Sequence, residues 1–335
     1  MSKQSASKQS MNKQALLEVK NLKMYFPQTK GLIKKETTYV KAVDGISFDV
    51  QEGQTLGLVG ESGCGKSTTG RGIMRLIEPS DGEVWFEGNE LAKLSRHELR
   101  LKRREMQMVF QDPYASLNPR LRIEDILAEP LKAHGMKNKA ERRKLILKML
   151  DVVGLNRNYA HRYAHEFSGG QRQRIGIARA LILNPKLIIA DEPVAALDVS
   201  IQAQILNLMK DLQAEFGLAY LFISHDLSVV RHLCDRTAVM YLGRIAEIGS
   251  TEAIFNKPLH PYTQTLLDAI PVSNPRHRRE RVILKGDVPS PVNPPKGCAF
   301  VGRCPKVHAR CHEERPQLRT MGEDHQVACH LYDEA

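Results

Sequence analysis

Three short segments carry the residues best suited to chemistry on phosphate: GESGCGKS from Gly60 to Ser67, FSGGQ from Phe167 to Gln171, and LIIADEP from Leu187 to Pro193. In the first, Gly60, Gly65, Lys66 and Ser67 have the Walker A spacing. Its glycines let backbone N–H groups turn inward around phosphate oxygens. The helix expected after it aims its positive end at the same anion. Lys66 is placed to reach the β- and γ-phosphates of ATP, and the Ser67 hydroxyl to ligate Mg²⁺. Glu61, Ser62, Gly63, Cys64 and Thr68 complete the cradle, with Cys64 read as a small filler rather than a redox switch. A lone glycine-rich loop can be an ordinary tight turn. Here an apolar strand, Thr55 to Val59, precedes it and a helical pattern follows.

Asp191 ends a run of four apolar residues, at the carboxyl end of an expected buried strand, where it can hold Mg²⁺ through water. Glu192, one residue on, can polarise the attacking water. Two buried carboxylates without a cation are costly, so a metal-assisted site explains the pair better than a structural one. The middle segment adds Ser168, Gly169, Gly170 and Gln171 at the start of a helix, a second seat for an anion. One chain cannot comfortably point both seats at one γ-phosphate.

The elements that position these residues alternate between strand and helix. Leu17, Val19 and Leu22 mark one strand and Val40 to Val50 a second. Thr55–Val59 leads into the glycine loop, a helix runs on towards Leu76, and Glu83–Phe86 is again a strand. Residues 120–160 read as a helical insertion. Gln171–Leu183 and the apolar face Ile201, Ile205, Leu208, Met209, Leu212 are helices. Leu187–Ala190 and Ala219–Ile223 are strands, and Thr237–Tyr241 with Ile245–Ile248 form a hairpin. This alternation predicts an α/β core. Beyond about Asn256, prolines at 258, 261, 271, 275, 289, 291, 294 and 295 predict a loop-rich appendage.

The chain of 335 residues is 42% hydrophobic, enough for a substantial core. No apolar run approaches the roughly 18–20 residues of a membrane span. The first residues, MSKQSASKQSMNKQ, have no apolar stretch, so they are expected to be a disordered polar tail and not a signal peptide. A soluble, intracellular protein follows from these features. The net charge of +11 is scattered, with denser runs at Arg96–Arg104 and Arg276–Arg281. These read as solvated surface, with contact to lipid headgroups as the alternative. They are not interleaved with aromatics, so nucleic acid is not an expected partner.

Taken in order, the three segments resemble the nucleotide-binding subunit of an ABC transporter. The resemblance implies a P-loop NTPase fold over residues 16–255: a RecA-like core, an antiparallel β subdomain and a helical signature subdomain at about 112–172. A tail (1–15) precedes it and the appendage (256–335) follows. It also implies a head-to-tail pair of such domains, each ATP lying between the Walker A loop of one and the signature, FSGGQ, of the other. Gln111 then resembles the Q-loop glutamine that contacts Mg²⁺ or water, Asp198 the D-loop residue at the dimer interface, and His225 the switch histidine. Tyr25 resembles the aromatic that stacks on adenine, with Phe26 as the alternative.

QDPYASLNPR (Gln111–Arg120) and LHPYTQTLLDAIP (Leu259–Pro271) resemble importers of oligopeptides and dipeptides. ATP-driven peptide uptake is implied. The implied partners are a second ABC ATP-binding subunit in a heterodimer, two membrane permease subunits and an extracytoplasmic peptide-binding protein. The implied location is the cytoplasmic face of the cell membrane. Nickel-chelate and glutathione importers share much of the pattern; exporters and nucleic-acid-associated ATPases of the superfamily fit less well. Cys298, Cys304, Cys311 and Cys329 are separated by five, six and seventeen residues, without the tight pairs of structural zinc. The resemblance implies a [4Fe–4S] cluster there, with zinc or free thiols as alternatives. His308, His312, His325 and His330 neighbour them and are expected to be solvated.

Overall fold

The computed structural model describes residues 15–30, 36–270, 289–322 and 324–333. The N-terminal tail up to residue 14, Pro271, Pro275 and the basic run Arg276–Arg281 lie outside the described residues.

Two sheets organise the chain. Strands β1 (Leu17–Lys30), β2 (Glu36–Val50), β4 (Asp81–Phe86) and β5 (Asn89–Glu90) form an antiparallel sheet in the order β2-β1-β4-β5. The larger sheet has eight strands. It contains β3 (Thr55–Val59), β6 (Met106–Val109), β7 (Leu187–Asp191), β8 (Ala219–Ser224), β9 (Arg236–Tyr241), β10 (Arg244–Ser250), β11 (Arg319–Thr320) and β12 (His325–Val327), in the order β11-β12-β10-β9-β3-β8-β7-β6. The run from β9 to β6 is parallel, and every residue of β3, β7 and β8 is buried. Strands covered on both faces must be apolar throughout, which is why LIIA and TLGLV lack alternation.

Helix α1 (Lys66–Ile73) follows β3 after the loop Gly60–Gly65. Between β6 and α6 (Gly169–Leu181) lie α3 (Pro113–Ser116), α4 (Ile123–Ala133) and α5 (Lys139–Val152). Leu127, Leu131, Ile146 and Leu150 turn inward there, and α4 and α5 pack on each other and on α6. Helices α7 (Val199–Phe216) and α8 (Leu227–Leu233) complete the core. The basic run at Arg96 forms part of a helix, α2 (Arg96–Glu105), started by a reciprocal Ser95–Glu98 capping box. No helix among the described residues is long and apolar enough to cross a membrane.

The C-terminal region is more closely joined to the core than its prolines predict. Helices α9 (Thr251–Asn256) and α10 (Pro261–Asp268) form, and Pro261 sits in the first turn of α10, where its missing N–H is harmless. Strand β12 pairs with β10, Glu247 facing Val327, so the appendage extends the core sheet. A short helix, α11 (Arg310–Glu313), lies beside the cysteines. Phe300 is fully buried against Tyr241 and Tyr262, at ring-centroid distances of 5.3 and 5.4 Å.

Candidate functional site

The loop after β3 is shaped by backbone that side chains could not share. Gly60 and Gly65 have φ of +151° and +107°, and a Cβ on them would lie 2.1 Å from the Met240 carbonyl and 2.0 Å from that of Ala42. Only glycine fits there. Gly65 caps α1 without a side-chain bond, so the first N–H groups of α1 keep their donor capacity for an anion. Lys66 is buried and its Nζ donates to the carbonyls of Gly60 (2.8 Å) and Glu61 (3.0 Å). Cys64 is buried beside it, and burial pushes its thiol pKa up against the opposing pull of Lys66. A neutral thiol fits the filler reading. Ser62 and Gly63 are exposed at the loop tip; Thr68 is half-buried.

Ser67 Oγ donates to Asp191 Oδ1 at 2.7 Å. Asp191 Oδ2 is buried without a hydrogen-bond partner among the described residues. Burial raises the Asp191 carboxyl, with the Ser67 bond opposing. A buried, half-satisfied carboxylate next to a hydroxyl suits a hard cation with oxygen ligands, so these residues fit Mg²⁺. Glu192 follows with φ +45°, a left-handed conformation rare outside glycine, fixed by its N–H donating to Ile223 O at 2.9 Å. The turn aims its carboxylate between two partners: Gln111 Nε2 donates to Oε2 at 2.9 Å, and His225 Nδ1 lies 3.1 Å from Oε1. Gln111, Asp191, Glu192 and His225 thus stand at or just beyond the carboxyl ends of β6, β7 and β8, beside the loop that follows β3. That edge is where parallel α/β sheets bind ligands.

The remaining expected residues make other contacts. Ser168 and Gln171 bond to each other in a capping box at the start of α6, through Ser168 N–H to Gln171 Oε1 (3.1 Å) and Gln171 N–H to Ser168 Oγ (3.4 Å). A Cβ on Gly170 would meet Ile201 at 2.4 Å, and one on Gly169 would touch Leu197 and Tyr114, so this turn packs against the start of α7. Asp198 is the exposed N-cap of α7. Phe26 packs on the core, whereas the Tyr25 hydroxyl donates to Asp44 and its ring lies 5.6 Å from Lys41 Nζ. Burial, reinforced by Asp44, pushes the Tyr25 phenol up to about 12. The partners Lys41 and Asp44 were not found by reading the sequence. Nor were Tyr262 and Arg303, which hold Glu61 across 201 and 242 positions. No local pattern signals contacts of that span.

The four C-terminal cysteines are free thiols. They come close enough to influence one another, and burial, helped by the neighbouring thiols, pushes Cys298 and Cys329 up to about 11. Cys298 N–H also donates to Cys311 O at 2.8 Å. Among the described residues, however, no group of three or more His, Cys, Asp or Glu is set to hold a metal ion. The expected thiolate ligand set is therefore not formed by the side chains as placed: Cys298 and Cys304 pack against the apolar core. Two histidines expected to be solvated are engaged instead. His325 Nε2 lies 2.7 Å from Glu247 Oε1, and His330 bridges Asp333 (2.6 Å) and the Glu314 carbonyl (2.9 Å).

Comparison with known proteins agrees with this geometry. Residues 43–195 match the family described as ABC transporter, and residues 246–311 the one described as oligopeptide/dipeptide transporter, C-terminal region. An oligopeptide transport ATP-binding protein of Bacillus subtilis is 55% identical over 324 residues, covering 96% of this chain and 98% of its own. This chain belongs to the ABC transporter ATP-binding family. A dipeptide transport ATP-binding protein of Haemophilus influenzae is 52% identical over 95% of this chain and 97% of its own. Among solved ABC proteins, a dimeric ATP-binding cassette in a post-hydrolysis state with ADP and Pi superposes with a TM-score of 0.60 at 30% identity, covering 70% of this chain and 98% of that one. Clostridium perfringens CbiO1, part of an ABC transporter complex, gives 0.61 at 28% identity, covering 72% and 91%. The α/β cassette expected from the sequence is the observed fold, and the chain is an ABC ATPase.

Proposed function

We propose that this chain is the ATP-hydrolysing, energy-coupling subunit of an importer for dipeptides or oligopeptides. The observation that carries the reading is the Glu192 carboxylate, held between Gln111 and His225 one residue beyond the Asp191–Ser67 pair. ATP seats its phosphates on the Walker A loop, with Lys66 on the β and γ groups. Ser67, Asp191 and Gln111 would hold Mg²⁺, which when bound would supply neutralisation of phosphate charge. Glu192 orients the water for in-line attack and takes its proton, while His225 contacts the γ-phosphate. Tyr25 stacks on adenine. A second ABC subunit, in a heterodimer, presents its own signature to this site, and Ser168–Gln171 with Asp198 serve the partner's ATP.

Two membrane permease subunits dock at the cytoplasmic face, supplied by an extracytoplasmic peptide-binding protein. A groove of about 620 Å³ lined by Arg71, Met74, Phe110, Gln111, Pro130 and Arg179 supports that docking. It joins the Q-loop glutamine to the helical insertion, with Phe110 exposed. Glu192→Gln is expected to cut hydrolysis at least about 100-fold while ATP still binds and a closed dimer accumulates, read by turnover and size-exclusion chromatography. Unchanged turnover overturns the assignment.

The same proposal gives Cys298, Cys304, Cys311 and Cys329 a [4Fe–4S] cluster; its support is the sequence resemblance and four free thiols that influence one another, and the side chains as placed do not form the ligand set. Anaerobic purification with iron and acid-labile sulfide analysis tests it. Iron and sulfide that vanish with Cys304→Ser sustain the cluster; a chain free of iron removes it.

A further inference from the structure

Glu61, the second residue of the Walker A loop, is held at all its polar groups. Its carboxylate takes two bonds from Arg303, Nη1 at 2.8 Å and Nη2 at 3.1 Å. Its N–H donates to the Tyr262 hydroxyl at 2.9 Å. Its carbonyl accepts from Lys66. The Arg303 and Tyr262 grips come from the C-terminal region.

Arg303 is itself fixed. Its side chain is 8% exposed, against 23% for Glu61. The guanidinium lies over Tyr241, 5.9 Å from the ring centroid, with Nη1 3.5 Å from the Tyr241 hydroxyl. Tyr241 in turn packs on Tyr262 (4.6 Å) and Phe300. Nε is buried without a hydrogen-bond partner among the described residues, so the Nη bonds to Glu61 and Tyr241 are what hold the head group there. A two-pronged arginine–carboxylate contact is geometrically specific, and its low exposure limits screening by salt.

A carboxylate inside a loop built to receive a triphosphate repels that ligand. We infer that Arg303 is a positioning residue for ATP: it neutralises Glu61 and, with Tyr262, sets the entry of the Walker A loop, so that the C-terminal region tunes nucleotide affinity. Arg303 is engaged by Glu61 and Tyr241, and acts through Glu61, not by touching phosphate. Through this contact the segment between Cys298 and Cys304 reaches the nucleotide seat directly. The inference rests on the ATPase reading above.

The test uses the full chain, with binding of a fluorescent ATP analogue and steady-state hydrolysis measured together. Arg303→Gln is expected to weaken ATP affinity and raise KM on the order of tenfold while kcat stays within about twofold, the split expected for lost ground-state binding. Adding Glu61→Gln to Arg303→Gln is expected to recover most of the affinity, because the repelling charge is gone. A double variant as impaired as Arg303→Gln, or an unchanged KM in Arg303→Gln, overturns the inference. Should Arg303→Gln fail to fold, Arg303→Lys decides: it keeps the charge but not the two-pronged contact. A KM raised a few-fold supports the assignment and an unchanged KM overturns it. A parent chain that neither binds nor hydrolyses ATP brings down the ATPase reading first.

Discussion

Helices α1 and α6 both start within a glycine-rich, phosphate-handling segment, yet their first turns are closed in opposite ways. At α1 the cap is Gly65 in the left-handed region, with no side-chain bond, and the next residues face inward: Lys66 is buried and Ser67 is tied to Asp191. At α6 the cap is an exposed Ser168 in extended backbone, and Ser168 and Gln171 satisfy each other. The first seat is completed by residues of its own chain and leaves donors for an anion. The second already has its cap and stands at the surface. A seat that keeps its shape alone and faces outward suits a ligand brought by another molecule, which is the head-to-tail arrangement proposed above.

The largest expected effect breaks the first seat. Lys66→Ala removes the cation that bonds to the Gly60 and Glu61 carbonyls, and with it the proposed contact to the β- and γ-phosphates. ATP-analogue affinity is expected to fall at least about 100-fold, with no measurable turnover. Ser168→Ala should act differently. Loss of the cap costs about 1 kcal/mol, a small decrease in melting temperature. Binding of the analogue to a single chain is expected to stay unchanged, while ATP-dependent pairing and turnover fall about tenfold. If Ser168→Ala weakened single-chain binding as strongly as Lys66→Ala, the two seats would not be distinct and the comparison would fail.

The first seat was readable in the sequence because its determinants are local. Gly60, Gly65, Lys66 and Ser67 lie within eight residues, and the apolar strands that carry Asp191 and His225 announce themselves by composition. What could not be read depends on partners far away along the chain. Glu61 looks like an ordinary member of the loop until Arg303 folds back onto it. The left-handed turn at Glu192 follows from a bond to Ile223 that no pattern predicts. Strand β6 and helix α2 were missed as elements, since β6 is only four residues long and α2 is dominated by charge. Pro261, read as a breaker, instead opens α10, because position within a helix decides whether proline is tolerated.

A third helix start sharpens the contrast. Helix α10 is capped by His260, whose Nδ1 accepts from Tyr262 N–H at 3.0 Å, directly below the residue that grips Glu61. That bond needs a neutral ring. His260 is 3% exposed, and burial pushes it down to about 4, the Glu247 carboxylate opposing. Between the ordinary histidine value near pH 6.5 and the folded value, the unfolded chain therefore binds a proton that the native chain refuses. The stability contribution is intact above about pH 6.5 and is lost as pH falls, by about 2 kcal/mol between pH 7 and pH 5. His260→Asn keeps a capping side chain without a titrating ring. Its stability, from denaturant unfolding at the two pH values, is expected to fall less on acidification than that of the parent by about that amount. An equal acid dependence in both would mean that the α10 cap does not titrate, leaving it as indifferent to pH as the Ser168 cap of α6.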